Sequence, residues 1–173
     1  MTKLEGYKLV TYPRTGSHYL RELLLQSTGK LIYKTHDPLD FPELKTITIL
    51  REPLGTLKSE LAMSLRYGIT NTPAVSQYIK FFNYMNDNAS IVIDYEDLIK
   101  YPEKVCKSLS NKLGVKYLRS EYVDTLKDNP DNTYIVTSKD TKEYDSIDMS
   151  KYYLGNCYLI YNTVKTNKNT LEI

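Results

Sequence analysis

The sequence predicts an α/β fold, a parallel sheet of about four to five strands flanked by helices in three layers. Three observations carry that expectation. Short apolar runs at residues 9–12, 31–34, 46–50 and 90–94 have the length and composition of buried strands. Stretches with leucine or aromatic residues at helical spacing lie between most of them. Each run ends in charged residues, histidine or proline, where a turn or a helix begins.

At 173 residues the chain has the size of one domain, so 1–173 is read as a single unit, with 1–115 as its patterned core and 129–173 as a weaker C-terminal part. A formal net charge of +2 with 25% charged residues marks neither a nucleic-acid binder nor a membrane-surface binder. Cys106 and Cys157 stand far apart, with no second cysteine or histidine at metal-ligand spacing. That argues against a zinc site and a disulfide framework, and for a reducing cytoplasm. The opening stretch MTKLEGYKLV has no apolar leader segment and no apolar run has membrane-span length, so a soluble, unprocessed chain is expected. Asn88-Ala89-Ser90 matches a glycosylation sequon, which in such a chain is read as chance.

The first strand, 9–12, leads through a tight turn at 13–16 into a helix that carries Leu20, Leu23 and Leu24 and stops near Gly29. Strand, turn and helix form a phosphate-binding plan, because the first N–H groups of a helix lack intrahelical acceptors and the helix dipole is positive there. Gly16 lets the backbone approach an anion closely, and Arg14, Thr15, Ser17 and His18 surround it with donors. The spacing is not that of the nucleotide-triphosphatase loop, since no Lys-Ser/Thr pair follows Gly16. A plain turn without a ligand has the same look, and this segment by itself does not separate the two.

The second strand, 31–34, ends in Lys34-Thr35-His36-Asp37-Pro38. Pro38 biases Asp37 away from helix and puts His36 and Asp37 on a strand-end loop, where open α/β sheets hold their ligands. The third strand, 46–50, runs into Arg51-Glu52-Pro53, with Pro53 suited to the first helical position. Leu54, Leu57, Leu61 and Leu65 then form one apolar stripe as far as Gly68. A helix over 72–86, capped by Thr72 before Pro73, presents Val75, Tyr78, Ile79, Phe82 and Met85 on one face.

The fourth strand, 90–94, is followed by Tyr95-Glu96-Asp97-Leu98, in which Glu96 and Asp97 read as caps of a short helix. A helix over 102–113 is stopped by Gly114, and another is expected at 120–127. Residues 129–132 form a turn, 137–146 a polar loop, 154–164 an apolar segment packed on the body, and 165–173 a frayed tail.

Four strand ends thus carry unusual residues: Arg14 to His18, Lys34 to His36, Arg51 with Ser59, and Tyr95 to Asp97. In a parallel sheet those ends lie along one edge, so groups distant in sequence converge. On these residues the chain resembles the P-loop-like sulfotransferases that use 3′-phosphoadenosine 5′-phosphosulfate (PAPS). The family's opening loop, roughly TYPKSGTTWL, is similar to the stretch from Thr11 to Leu20, with Arg14 in the lysine position. Its KTHLP is similar to Lys34-Thr35-His36-Asp37-Pro38. Its Arg-Asn-Pro with a serine about two helical turns later resembles Arg51-Glu52-Pro53 with Ser59, and its YEDL matches Tyr95-Glu96-Asp97-Leu98. Order and local spacing hold across 1–115, which the resemblance marks as a nucleotide-binding core.

The resemblance implies sulfuryl transfer from PAPS to a hydroxyl or amine of a small-molecule or glycan acceptor, leaving adenosine 3′,5′-bisphosphate (PAP). Backbone N–H groups along Thr15, Gly16, Ser17, His18 and Tyr19, with Arg14, would hold the 5′-phosphosulfate. Arg14 would stabilise charge on the leaving oxygen, keeping the family's positive charge with a planar, bidentate geometry. His36 is implied as the general base, a role that contributes about 10²- to 10⁴-fold, with Lys34 supporting the sulfuryl group. Arg51 and Ser59 would take the 3′-phosphate and Tyr95 would lie near the adenine. No metal, nucleic acid or membrane enters this expectation, and the oligomeric state is left open.

The chain also departs from the family. The late RKGxxGDWK segment has no clear counterpart, since Ser138-Lys139-Asp140 lacks its glycines. Thr163-Val164 lacks the charged flanks of the family's dimerisation motif. The short interval from Arg14 to His36 implies a reduced or open acceptor pocket. Two other readings stand beside the leading one: a P-loop nucleotide kinase or related phosphotransferase, and a non-catalytic nucleotide-binding module.

Overall fold

A computed structural model describes residues 2–70, 72–118, 142–167 and 169–173 of the chain. Along them run β1 (Thr2–Val10), α1 (Ser17–Thr28), β2 (Lys30–Thr35), β3 (Lys45–Leu50), α2 (Pro53–Arg66), α3 (Val75–Asn88), β4 (Ala89–Asp94), α4 (Tyr95–Lys100), α5 (Pro102–Leu113), α6 (Lys142–Ser146) and α7 (Gly155–Lys165). The strands form one sheet in the order β2-β1-β3-β4, with every pairing parallel.

Strand alternation splits the apolar side chains between two cores. Leu9, Ile47, Ile49, Ile91 and Ile93 point to one side, against Leu20, Leu23 and Leu24 of α1, Leu98 of α4, and Val105 and Leu109 of α5. Val10, Leu50 and Val92 point to the other, against Leu57 and Leu61 of α2, Tyr78, Phe82 and Met85 of α3, and Cys157, Ile160 and Val164 of α7. Helix, sheet and helix therefore make the three layers that the alternation of runs predicts. Among the described residues no helix is long and apolar enough to cross a membrane.

One crossover has no helix. β2 and β3 flank β1, so residues 36–44 must pass across that strand as a loop. Lys8, only 2% exposed, anchors this loop from the middle of β1. Its Nζ donates to the carbonyl of Pro38 at 2.8 Å and to that of Asp40. A buried ammonium held by carbonyls does the work that a packed helix does in the other crossovers.

Several expectations need correction. β1 begins at Thr2 and ends at Val10, because backbone pairing with β2 extends it through a polar, exposed stretch that hydrophobicity does not reveal. Thr72 does not cap α3; Val75 N bonds to Pro73 O at 2.9 Å, and that turn delays the helix to Val75. Leu54 and Leu65 are 42% and 37% exposed, so only Leu57 and Leu61 of that stripe are core. α4 is capped by Asp94, whose side chain accepts from Glu96 N, rather than by Glu96 or Asp97.

The polar stretch 142–146 is helical, as α6 against α2, and not loop. The tail is not frayed either. Asn169 O accepts from Val92 N at 2.9 Å and Leu171 N donates to Val92 O at 2.7 Å, which adds a short fifth position beyond β4. Leu171 is buried in the α1/α5 core. The helix expected at 120–127, the turn at 129–132, and residues 137–141 lie outside the described residues.

Candidate functional site

Three helices start at the carboxyl edge of the sheet, and their first N–H groups are treated differently. The Glu52 side chain caps α2, accepting from Leu54 N at 2.9 Å and Gly55 N at 2.5 Å. Asp94 caps α4, accepting from Glu96 N at 2.9 Å. α1 starts behind Gly16 with no side-chain cap. An anion is therefore redundant at two of these termini and complementary to the third.

The turn before α1 is shaped for that approach. Gly16 has φ 85° and Arg14 φ 65°, both left-handed, which is uncommon for a residue with a side chain. Thr15 is buried and its hydroxyl donates to Tyr12 O at 2.7 Å, which locks the turn. Its hydroxyl thus serves the fold, contrary to the expectation that it faces an anion. Tyr19 is buried in the α1/α5 core and Ser17 is buried as well, so the tyrosine's contribution at this edge is its backbone N–H.

On the β3 and β4 side, the basic groups interlock. Arg14 Nε donates to Ser59 Oγ at 3.3 Å, and Arg51 Nη1 donates to Arg14 O at 2.7 Å. The Arg51 guanidinium also lies 4.4 Å from the centroid of the Tyr95 ring. That ring covers Gly16, where an added Cβ would stand 3.0 Å from Tyr95 Cε2. Tyr78 donates its hydroxyl to Arg51 O at 2.8 Å and fixes the strand end from below. Burial, then the neighbouring Arg51, pull the Arg14 guanidinium below its ordinary pKa.

On the β2 side the basic groups crowd one another. His36 Nδ1 lies 2.6 Å from Thr11 O. A carbonyl only accepts, so Nδ1 carries the hydrogen and Nε2 of the neutral ring is left with a lone pair, the form a general base needs. Lys34 Nζ sits 3.1 Å from His18 Nε2. The Lys34 ammonium is pushed down by burial and then by Arg21. The His18 imidazole is pushed down by burial, then by Lys34, Arg21, His36 and Arg14. Positive charge is destabilised at Lys34 and at His18, as in a site that awaits an anion.

The charged and aromatic residues of the four strand ends lie along this edge: Arg14 with Ser59, Arg51 with Tyr95, Lys34 with His18, and His36 on Thr11. His18, given only a backbone role by the resemblance, brings its imidazole into the cluster. Sequence reasoning missed Arg21, which stands one helical turn after His18, a spacing that was available as a signal. It also missed Thr11 and Tyr78, which act through a carbonyl and from a core position, and Tyr144 of α6. Tyr144 stacks with Lys58 at 4.6 Å from its centroid, and Arg51, Glu52 and Tyr95 act on its phenol. Ser138-Lys139-Asp140 lies outside the described residues. Among those described, no group of His, Cys, Asp or Glu is placed to hold a metal ion. Comparison with protein-family models finds no family that matches the chain, and comparison with curated proteins finds no match either.

Proposed function

We propose that this protein is a compact sulfotransferase that moves the sulfuryl group of PAPS to a hydroxyl or amine. The observation that carries the reading is the pairing of an uncapped helix start with a histidine whose Nδ1 is held by a backbone carbonyl, at the same sheet edge. The α1 N–H groups and Arg14 suit the 5′-phosphosulfate, and the Arg51, Ser59 and Tyr95 group suits a phosphate beside an aromatic base.

In that reading the acceptor's oxygen or nitrogen bonds to sulfur as its proton passes to Nε2 of His36. The electron pair of the broken S–O bond stays on the phosphate oxygen, where Arg14 and the helix start offset the new charge.

A thermal-shift comparison tests the donor. PAP should raise the melting temperature well beyond ATP or AMP at equal concentration, since only PAP places a phosphate on the Arg51 side. Equal shifts would remove the 3′-phosphate assignment and return the chain to the phosphotransferase reading, which lacks its Lys-Ser/Thr pair after Gly16.

A further inference from the structure

We propose that the acceptor is itself an anion, a hydroxyl or amine compound that also carries a carboxylate or phosphate, bound by Arg21 and Lys34 beside His36. The inference rests on the sulfotransferase reading and adds the acceptor's chemical class to it.

Arg21 is the residue that the donor leaves unused. It follows His18 by three positions on α1, which sets it about 4.5 Å further along the axis, away from the N–H groups at the helix start. It also lies across the sheet from Arg51 and Ser59, because α1 packs on β2. Its Nε is buried and has no hydrogen-bond partner. A buried donor of this kind is costly unless a ligand satisfies it, and the guanidinium fork fits a carboxylate or phosphate with two parallel bonds.

Lys34 and His18, at 3.1 Å from each other, form the other wall. Burial and then Arg21 weaken the positive charge on Lys34, burial and then Lys34 and Arg21 weaken it on His18, and an anion between them and Arg21 would reverse that effect. The neighbouring acids are engaged elsewhere. Asp37 Oδ1 accepts from Leu39 N at 2.9 Å, and Asp40 Oδ2 accepts from Thr35 Oγ1 at 2.6 Å. His36 stands two residues beyond Lys34, so an acceptor held by its charge presents a second group to Nε2.

The test uses the full chain and three matched probes: 4-hydroxybenzoate, 4-hydroxyphenyl phosphate and neutral 4-hydroxybenzyl alcohol. The sequence has two histidines, so each imidazole can be followed separately by NMR. Both anions should shift the His18 signals and bind at least about tenfold tighter than the alcohol, and the tighter of the two names the acceptor's charged group. R21Q should erase that preference and keep the PAP stabilisation. R21K, which keeps charge without the fork, should fall between and carries the comparison if R21Q does not fold.

Equal binding of anions and alcohol, wild-type binding by both variants, or displacement of the anions by PAP overturns the proposal; displacement would assign these cations to the donor. If PAP fails to stabilise the wild type while the anions still bind through Arg21, the donor reading falls and the anion site stands.

Discussion

The two sides of the carboxyl edge hold positive charge in opposite ways. On the β3 and β4 side, Arg51 is only 7% exposed, bonds to Arg14 O and stacks on Tyr95, while Arg14 Nε reaches Ser59. On the β2 side, burial and then Arg21 lower the Lys34 ammonium's affinity for its proton, and burial, then Lys34 and Arg21, lower that of the His18 imidazole. The first arrangement is preorganised by the protein's own acceptors and aromatic faces, so a ligand finds its geometry already set. The second leaves Lys34 and His18 with weakened affinity for their protons, which a bound anion would restore. Under the proposed function, with the nucleotide on the first side and the acceptor on the second, one domain would bind a constant donor firmly and still respond to the charge of a second substrate.

The sharpest way to break this division is His36→Ala. Transfer should fall by about 10²- to 10⁴-fold in a radiolabelled sulfate assay, with the PAP thermal shift intact. Loss of both together would make the histidine part of the donor side, and structural.

Next in size is Arg51→Ala. One charged hydrogen bond is worth about 1.5–3 kcal/mol, so PAP should bind roughly tenfold to a hundredfold more weakly by calorimetry. The melting temperature of the free protein should fall as well, because Tyr95 loses its stacking partner and Arg14 O its donor. An unchanged free protein would mean that the donor side is not built by its own contacts.

The smallest effect belongs to His18. Its folded pKa lies below the ordinary value of 6.5, so as pH falls the unfolded chain takes up this proton first. Its contribution to stability is complete above that value and declines as pH drops from there through the lower folded pKa. The group is only partly buried, so the change is small, on the order of 1–2 °C in melting temperature. His18→Gln should flatten the melting curve's pH dependence in that window, and an identical profile would place the repulsion elsewhere.

Local chemistry was the legible part of this molecule. Gly16, Gly29, Pro53 and Gly114 mark helix limits because positive φ or a missing N–H acts on the residue itself. The convergence of strand ends was legible too, since parallel pairing alone brings Arg14, His36, Arg51 and Tyr95 to one edge. What could not be read were interactions decided by packing. Arg21 looks like any exposed helix residue until α1 settles on β2, and Thr11 contributes a carbonyl, which every residue has. Leu54 and Leu65 continue a perfect stripe whose outer members find nothing to cover them. The polar tail gave no sign of pairing, because its bonds to Val92 run through the backbone.

Lys8 gives the β2 side a property of time as well as of place. To swing the 36–44 loop away from β1, the carbonyls of Pro38 and Asp40 must give up their hydrogen bonds to the buried Lys8 ammonium. Two hydrogen bonds to a charged donor are together worth roughly 3 kcal/mol or more net of water, which keeps the opened loop below about one molecule in a hundred. The segment that begins with His36 therefore behaves as part of the sheet's own frame, and its imidazole is held in one position on the Thr11 carbonyl.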